Sequence, residues 1–182
     1  MSTRTTSIRR AREADLGSLS TVFDASWREA YRGIIPGVAL ERLIAAGDPV
    51  HYEVFEKVIP ETYGHLLFCI SKLFPGRVGD ECFMTKGHYH TVSGTAETYL
   101  CIAGTGFMMC KLADNAWRAE PMRRNRMVYV PPHWGHRSIN TGPEPLISFC
   151  VYPAEAGHNY GDIAALGFPR RVFIRNGREV FE

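Results

Sequence analysis

No apolar run in this chain of 182 residues approaches the roughly twenty residues that a membrane-spanning helix requires, which argues against a membrane partner. The opening stretch Met1 to Arg12 is rich in Arg, Ser and Thr, but no secretory apolar core follows it, so it reads as a solvated tail. Charge of one sign is also missing. With 21 Lys and Arg against 19 Asp and Glu, the net charge of +2 gives no electrostatic reason to expect nucleic acid as a partner. The five cysteines, Cys69, Cys82, Cys101, Cys110 and Cys150, are odd in number and show no Cys-x-x-Cys spacing. They are expected to be small buried hydrophobes in a reducing cytoplasm. Internal repeats and low-complexity runs are absent too, while 45% hydrophobic residues at this length suffice for one well-buried core.

The pattern of what is present changes once along the chain. From Asp15 to Arg32 the apolar residues Leu16, Leu19, Phe23, Trp27 and Ala30 recur at threes and fours until Gly33, which predicts an amphipathic helix. A second short helix is expected from Pro36 to Gly47. Residues 1–47 therefore read as a helical N-terminal segment packed on the remainder, 48–182, where the pattern is that of strands. These are expected at His51–Val58, His65–Phe74, Glu81–Thr85, Glu97–Ala103, Gly106–Leu112, Met127–Val130, His136–Thr141 and Leu146–Tyr152, with Gly, Pro and Asn between them. Gly104-Thr105-Gly106 reads as a hairpin turn between two of these strands, and Asn176-Gly177 as a last hairpin turn.

Chemistry concentrates in His88-Tyr89-His90, Glu97 and His136. Two histidines at i and i+2 of an extended strand point to one face, so both imidazoles can reach one ion, with Glu97 and His136 completing the set from neighbouring strands. Imidazole nitrogens with one carboxylate suit Fe²⁺, Mn²⁺, Ni²⁺ or Zn²⁺, whereas Ca²⁺ and Mg²⁺ prefer all-oxygen shells. The surrounding residues resemble the two motifs of the cupin family. The first, His-x-His, a later Glu, six residues and a Gly, is met by His88, His90, Glu97 and Gly104; the second, Pro-x4-His-x3-Asn, by Pro131, His136 and Asn140. Two departures stand out: the spacer from His90 to Glu97 is longer than in most cupins, and His133 occupies the usual glycine position of the second motif. That spacer, with TKGHYH, AETYLCIAGTG, VYVPPHWGHRSIN and VYPAEAGHNYG, resembles one branch, the cupin-type glucose-6-phosphate isomerases of archaea and some bacteria. The match runs from about Asp48 to about Phe173. Separately, residues 8–36 resemble the first strand and helix of GCN5-related N-acetyltransferases, but that fold's later pyrophosphate-binding loop has no counterpart here.

The cupin resemblance implies an all-β, double-stranded β-helix or jelly-roll barrel with a short helical N-terminal segment, forming a cytoplasmic homodimer. It implies one divalent transition metal per subunit, with Fe²⁺ first in expectation, bound by His88, His90, Glu97 and His136. Such an ion would stabilise charge on adjacent sugar oxygens as an aldose and a ketose interconvert. Glu97 is then the candidate base, although a cation beside it lowers its basicity, and a hydride shift is the alternative in which Glu97 is a ligand only. The phosphate would be met by Ser71, Thr85 and Gly87 together with Tyr152 and Tyr160. Placing Gly87 there requires a break in strand alternation, which would otherwise aim Lys86 the same way as His88. Tyr99 is expected near the sugar hydroxyls or as a barrel-core aromatic, and His158 as a proton relay for ring opening or as a turn-capping residue. The family's tyrosines at positions 95 and 133 are Thr95 and His133 here, which bears on which sugar phosphate fits. Glucose-6-phosphate isomerisation in glycolysis or gluconeogenesis is the leading reading. Another sugar-phosphate isomerase, a cupin dioxygenase and a non-catalytic sugar-binding cupin are the alternatives.

Overall fold

A computed structural model describes residues 50–182. In chain order its elements are β1 (Tyr52–Glu56), β2 (Leu66–Leu73), β3 (Arg77–Val78), β4 (Glu81–Cys82), β5 (Glu97–Ala103), β6 (Thr105–Lys111), β7 (Trp117–Arg123), β8 (Met127–Val130), β9 (Gly135–Asn140), β10 (Leu146–Pro153), α1 (Gly161–Leu166), β11 (Val172–Arg175) and β12 (Arg178–Phe181). The helices expected before Asp48, and the acetyltransferase-like stretch, lie outside the described residues.

Strands β1-β2-β10-β5-β8 form one antiparallel sheet, β7-β6-β9 a second and β12-β11-β4-β3 a third. Isolated bridges Met84 to Ile139 and His88 to His136 lay the segment after β4 along β9, which joins the second and third sheets into one layer. Between that layer and the five-stranded sheet packs a core that includes Leu73, Tyr99, Met108, Met122, Val130 and Leu146. On the far side of β6 and β9 a smaller cluster of Cys82, Met84, Met109, Ile139 and Val172 is closed by Phe168 and Phe181. Met108 and Met109 are both fully buried although they point to opposite faces, so β6 has no solvent side and its sequence does not alternate. Burying such a side chain contributes about 1.5–3 kcal/mol, which makes this strand a large contributor to holding the layers together. The result is the jelly-roll barrel, all-β apart from α1.

Four expectations require correction. Gly104 does not close a hairpin, because β5 and β6 belong to different sheets. It is a corner at which the chain crosses from one layer to the other, with φ of 77°, and a Cβ there would lie 2.5 Å from the Pro145 carbonyl oxygen. Strand β7 was not anticipated, since WRAEPMR is polar and contains Pro121; it is an edge strand, where a missing ladder donor is tolerated. The expected strand Glu81–Thr85 is regular only at Glu81–Cys82. Finally, the five cysteines are not all free: Cys69 and Cys150 are joined by a disulfide, while Cys82, Cys101 and Cys110 are free and buried as expected. The bonded pair occupies directly opposed positions of β2 and β10, a neighbourhood that a sequence separation of 81 conceals. The Asn176-Gly177 turn is as expected, with both residues at positive φ between β11 and β12.

Candidate metal centre and active site

His88 and His136 are brought together by backbone. Each donates its N–H to the other's carbonyl, at 3.1 and 3.0 Å, so the two imidazoles start from opposed positions on adjacent segments. Gly87, just before, has φ of 80°, and a Cβ on it would sit 2.9 Å from the His136 carbonyl oxygen. This left-handed residue is the break in alternation that lets Lys86, Gly87 and His88 all line one cavity. Glu97 opens β5, with its Oε2 3.2 Å from His90 Nε2 and 3.0 Å from His136 Nε2. One ligating atom from each of His88, His90, Glu97 and His136 lies within 4.8 Å of the others.

The orientation of these rings suits an ion. Nδ1 of His90 faces the Thr95 carbonyl at 3.1 Å and the Thr95 hydroxyl at 2.9 Å, and Nδ1 of His136 faces the Trp134 carbonyl at 3.4 Å, which turns both Nε2 atoms to the centre. His88 Nε2 is buried with no hydrogen-bond partner. An orphaned buried nitrogen costs about 1–3 kcal/mol, and coordination to a cation removes that cost. Three imidazole nitrogens and one carboxylate fit a first-row transition ion and do not fit the hard alkaline-earth ions.

Electrostatics follow from the same packing. Burial would raise the Glu97 carboxyl, but hydrogen bonds with His136 and His90 and the nearby imidazoles outweigh it and hold the group well below the usual carboxylate range. Burial, with His136 beside it, pushes His88 well below the ordinary histidine value, so its ring stays neutral, as a ligand must. Burial and then the Glu97 charge raise Tyr99, whose hydroxyl meets His136 Nε2 at 3.1 Å.

The cavity in front of the centre has a volume of about 440 Å³, within the range of small-molecule sites. Ser71, Thr85, Gly87, Tyr99, Tyr152, His158 and Tyr160 all line it, together with His88 and Glu97. His158 stacks on Tyr160 at 5.9 Å between ring centroids and meets the His88 ring at 4.4 Å. Every anticipated residue is thus gathered in or beside one space. Tyr52, Val54 and Glu56 also line it and were missed, although their i, i+2, i+4 spacing on β1 was a usable signal. Thr95 was noted only as a departure; its contact with His90 was missed. The requirement that a ligating histidine have its second nitrogen held would have pointed there.

The family model for glucose-6-phosphate isomerase matches residues 32–182. A glucose-6-phosphate isomerase of Thermococcus litoralis is 45% identical over 142 residues, 78% of this chain and 75% of that one. One from Pyrococcus abyssi is 45% identical over 137 residues, 75% and 72% respectively. Among solved structures an oxalate oxidase aligns over 63% of this chain and 57% of its own at 12% identity and a TM-score of 0.49, a likeness too loose to bear on chemistry. With a family model matched over most of its length, and relatives of this identity aligned along most of both chains, the protein belongs to the glucose-6-phosphate isomerase family, in its cupin branch.

Proposed function

We propose that the protein is a metal-dependent isomerase that interconverts glucose 6-phosphate and fructose 6-phosphate, in the cytoplasm, within glycolysis and gluconeogenesis. The observation that carries this reading is the convergence of His88, His90, Glu97 and His136 on one point beside a cavity that is also lined by the hydroxyl-bearing Ser71, Thr85, Tyr99, Tyr152 and Tyr160 and by Gly87. A divalent ion held by those four residues, Fe²⁺ in our reading, would supply Lewis-acid stabilisation of negative charge on adjacent sugar oxygens. Gly87 would present its N–H to the phosphate beside the hydroxyls of Ser71 and Thr85, with which it lines the cavity, since it has no side chain of its own to hold the phosphate off. Tyr99, Tyr152 and Tyr160 orient the sugar, and His158 passes a proton for ring opening. Glu97 takes both of its histidine contacts on Oε2, so Oε1 is the oxygen that moves the proton between C1 and C2.

The test is anaerobic. Purified protein loaded with Fe²⁺, Mn²⁺ or Ni²⁺ and given fructose 6-phosphate should yield glucose 6-phosphate, with Zn²⁺ less effective because its tetrahedral preference closes a coordination position. Chelation should abolish turnover and the ion should restore it. Oxygen consumption with a change in substrate mass would point to a dioxygenase, and full turnover in rigorously metal-free protein would exclude the metal from the reaction.

A further inference from the structure

Cys69 and Cys150 face the same cavity as the proposed metal centre, from neighbouring strands and directly opposite each other. They are joined by a disulfide, with Cα atoms 5.4 Å apart. Their surroundings are those of the substrate. Cys69 lies two residues before Ser71 on the inward face of β2, Cys150 two before Tyr152 on β10, and Cys150 is also paired with Tyr99 of β5. Both are nearly buried, at 7% and 2% exposure, and it is the cavity that they line, so a small reagent reaches the bond through the pocket.

We propose that the Cys69–Cys150 pair is a reversible thiol–disulfide site that sets the shape of the sugar-phosphate pocket, with the bonded form the one shaped for binding. The ligand in this inference rests on the isomerase reading. Bonded sulfurs lie about 2 Å apart. Separate thiols must move to a non-bonded distance of roughly 3.5–4 Å. The β2–β10 ladder holds the two Cα atoms where they are, and the apolar core behind is close-packed. The cavity is the open side, so reduction displaces a thiol into the space shared with Ser71, Tyr99 and Tyr152. A low-molecular-weight thiol supplies the electrons: its thiolate attacks one sulfur, and the other leaves as a thiolate that takes up a proton. A second equivalent then resolves the mixed disulfide, so two reagent thiols are oxidised to their disulfide as Cys69 and Cys150 are reduced. In a reducing cytoplasm, where disulfides are uncommon and usually redox-sensing, such a pair responds to an oxidising shift by restoring the binding form.

The test combines alkylation with kinetics. Unreduced protein denatured in iodoacetamide should take up three adducts, at Cys82, Cys101 and Cys110. Five should appear after treatment with a trialkylphosphine, which becomes its oxide as water supplies the oxygen and the two thiol hydrogens. At constant bound metal, phosphine should raise the KM for fructose 6-phosphate by about threefold or more while kcat changes little, the pattern of a binding effect. The double variant Cys69→Ala, Cys150→Ala should be indifferent to phosphine; should it not fold, Cys150→Ala alone, which cannot form the bridge, takes its place. Five adducts without reductant, or a wild-type KM that phosphine leaves unmoved, would overturn the proposal. Turnover absent from every form would remove the isomerase reading and this inference with it, whereas turnover with an unmoved KM removes this inference alone.

Discussion

Glu97 illustrates how one residue can be asked to do two jobs. As a ligand it needs only a carboxyl-like oxygen, and as a base it needs charge and a free Oε1. Glu97→Gln separates the two, because it preserves size and one oxygen and removes the charge. If Glu97 moves the proton, activity per bound metal in the Gln variant should fall by about 10²–10⁴-fold, the usual contribution of a general base. Near-normal activity per metal, with the C2 hydrogen fully retained in the product made in deuterated water, would leave Glu97 as a ligand and the reaction as a hydride shift. His133 poses a different question at the same scale. Pro131-Pro132-His133-Trp134 is a tight turn closed by the Trp134 N–H on the Pro131 carbonyl at 3.4 Å, and His133 sits in it at φ of 71°. A proline followed by a left-handed residue is a pattern that normally takes glycine in the second place. His133→Gly relieves about 1–2 kcal/mol of backbone strain but loses part of that to the greater freedom of glycine in the unfolded chain. A net gain of a few tenths to about 1 kcal/mol should appear as a higher urea midpoint with unchanged slope; a lower midpoint would mean that the imidazole makes contacts worth more than the strain. The sequence made this position legible because His133 stands where a motif glycine belongs. The four-residue metal set was legible for the same reason, whereas Thr95 was not, since its part depends on which way the His90 ring is turned.

Strands with an apolar run or apolar alternation were the legible ones, whether one face lines a cavity, as in β2 and β10, or both faces are buried, as in β6. In β2 and β10 every second residue faces the core or cavity, and both were expected within a residue or two of their observed ends. β7 was hidden by its polarity and its proline, and the crossing at Gly104 was hidden because a corner and a hairpin both call for a left-handed glycine. Strand pairing is decided by which layer needs the next strand, and no local residue encodes that. The segment between β4 and β5 depends most heavily on one backbone choice. At Gly87 a methyl group would meet the Phe168 ring at 2.8 Å and the His136 carbonyl at 2.9 Å, on a residue already at positive φ. Gly87→Ala should therefore pull His88 away from His136, lowering stability by about 2 kcal/mol or more from strain and collision together. Metal content should fall with it. Gly94→Ala, where nothing lies within 4 Å, is the control that should change neither quantity. Metal retention and an unchanged midpoint in the Gly87 variant would show that the bridge between the two ligand segments does not depend on this residue.

The five-stranded sheet turns an apolar outer face away from the core. Register places Phe55, Ile70, Phe149, Leu100 and Met127 in one row across all five strands, and Phe68, Val151, Thr98 and Tyr129 in the next. Ile70 is 38%, Leu100 37% and Met127 64% exposed in the single chain. An exposed apolar patch crossing a whole sheet marks an interaction surface. We propose that its partner is a second copy of the chain, because a homodimer related by a two-fold axis needs one self-complementary patch and this row of apolar residues crosses all five strands. Two-fold symmetry sharpens the test, since any substitution enters the interface twice. Ile70→Lys or Leu100→Lys would bury two cations in an apolar contact, a cost of several kcal/mol that a desolvated interface rarely tolerates. Light scattering at micromolar concentration should give twice the chain mass for the wild type and the single-chain mass for either variant. Tyr63→Lys, at a residue 89% exposed outside the sheet, should leave the dimer intact. A monomeric wild type would dismiss the homodimer, and a variant that remains dimeric would move the interface off this sheet. The cavity opens on the inner side of the same sheet, so the lysine variants should keep their bound metal as they dissociate, and metal content measured on the monomer distinguishes loss of the interface from loss of the fold.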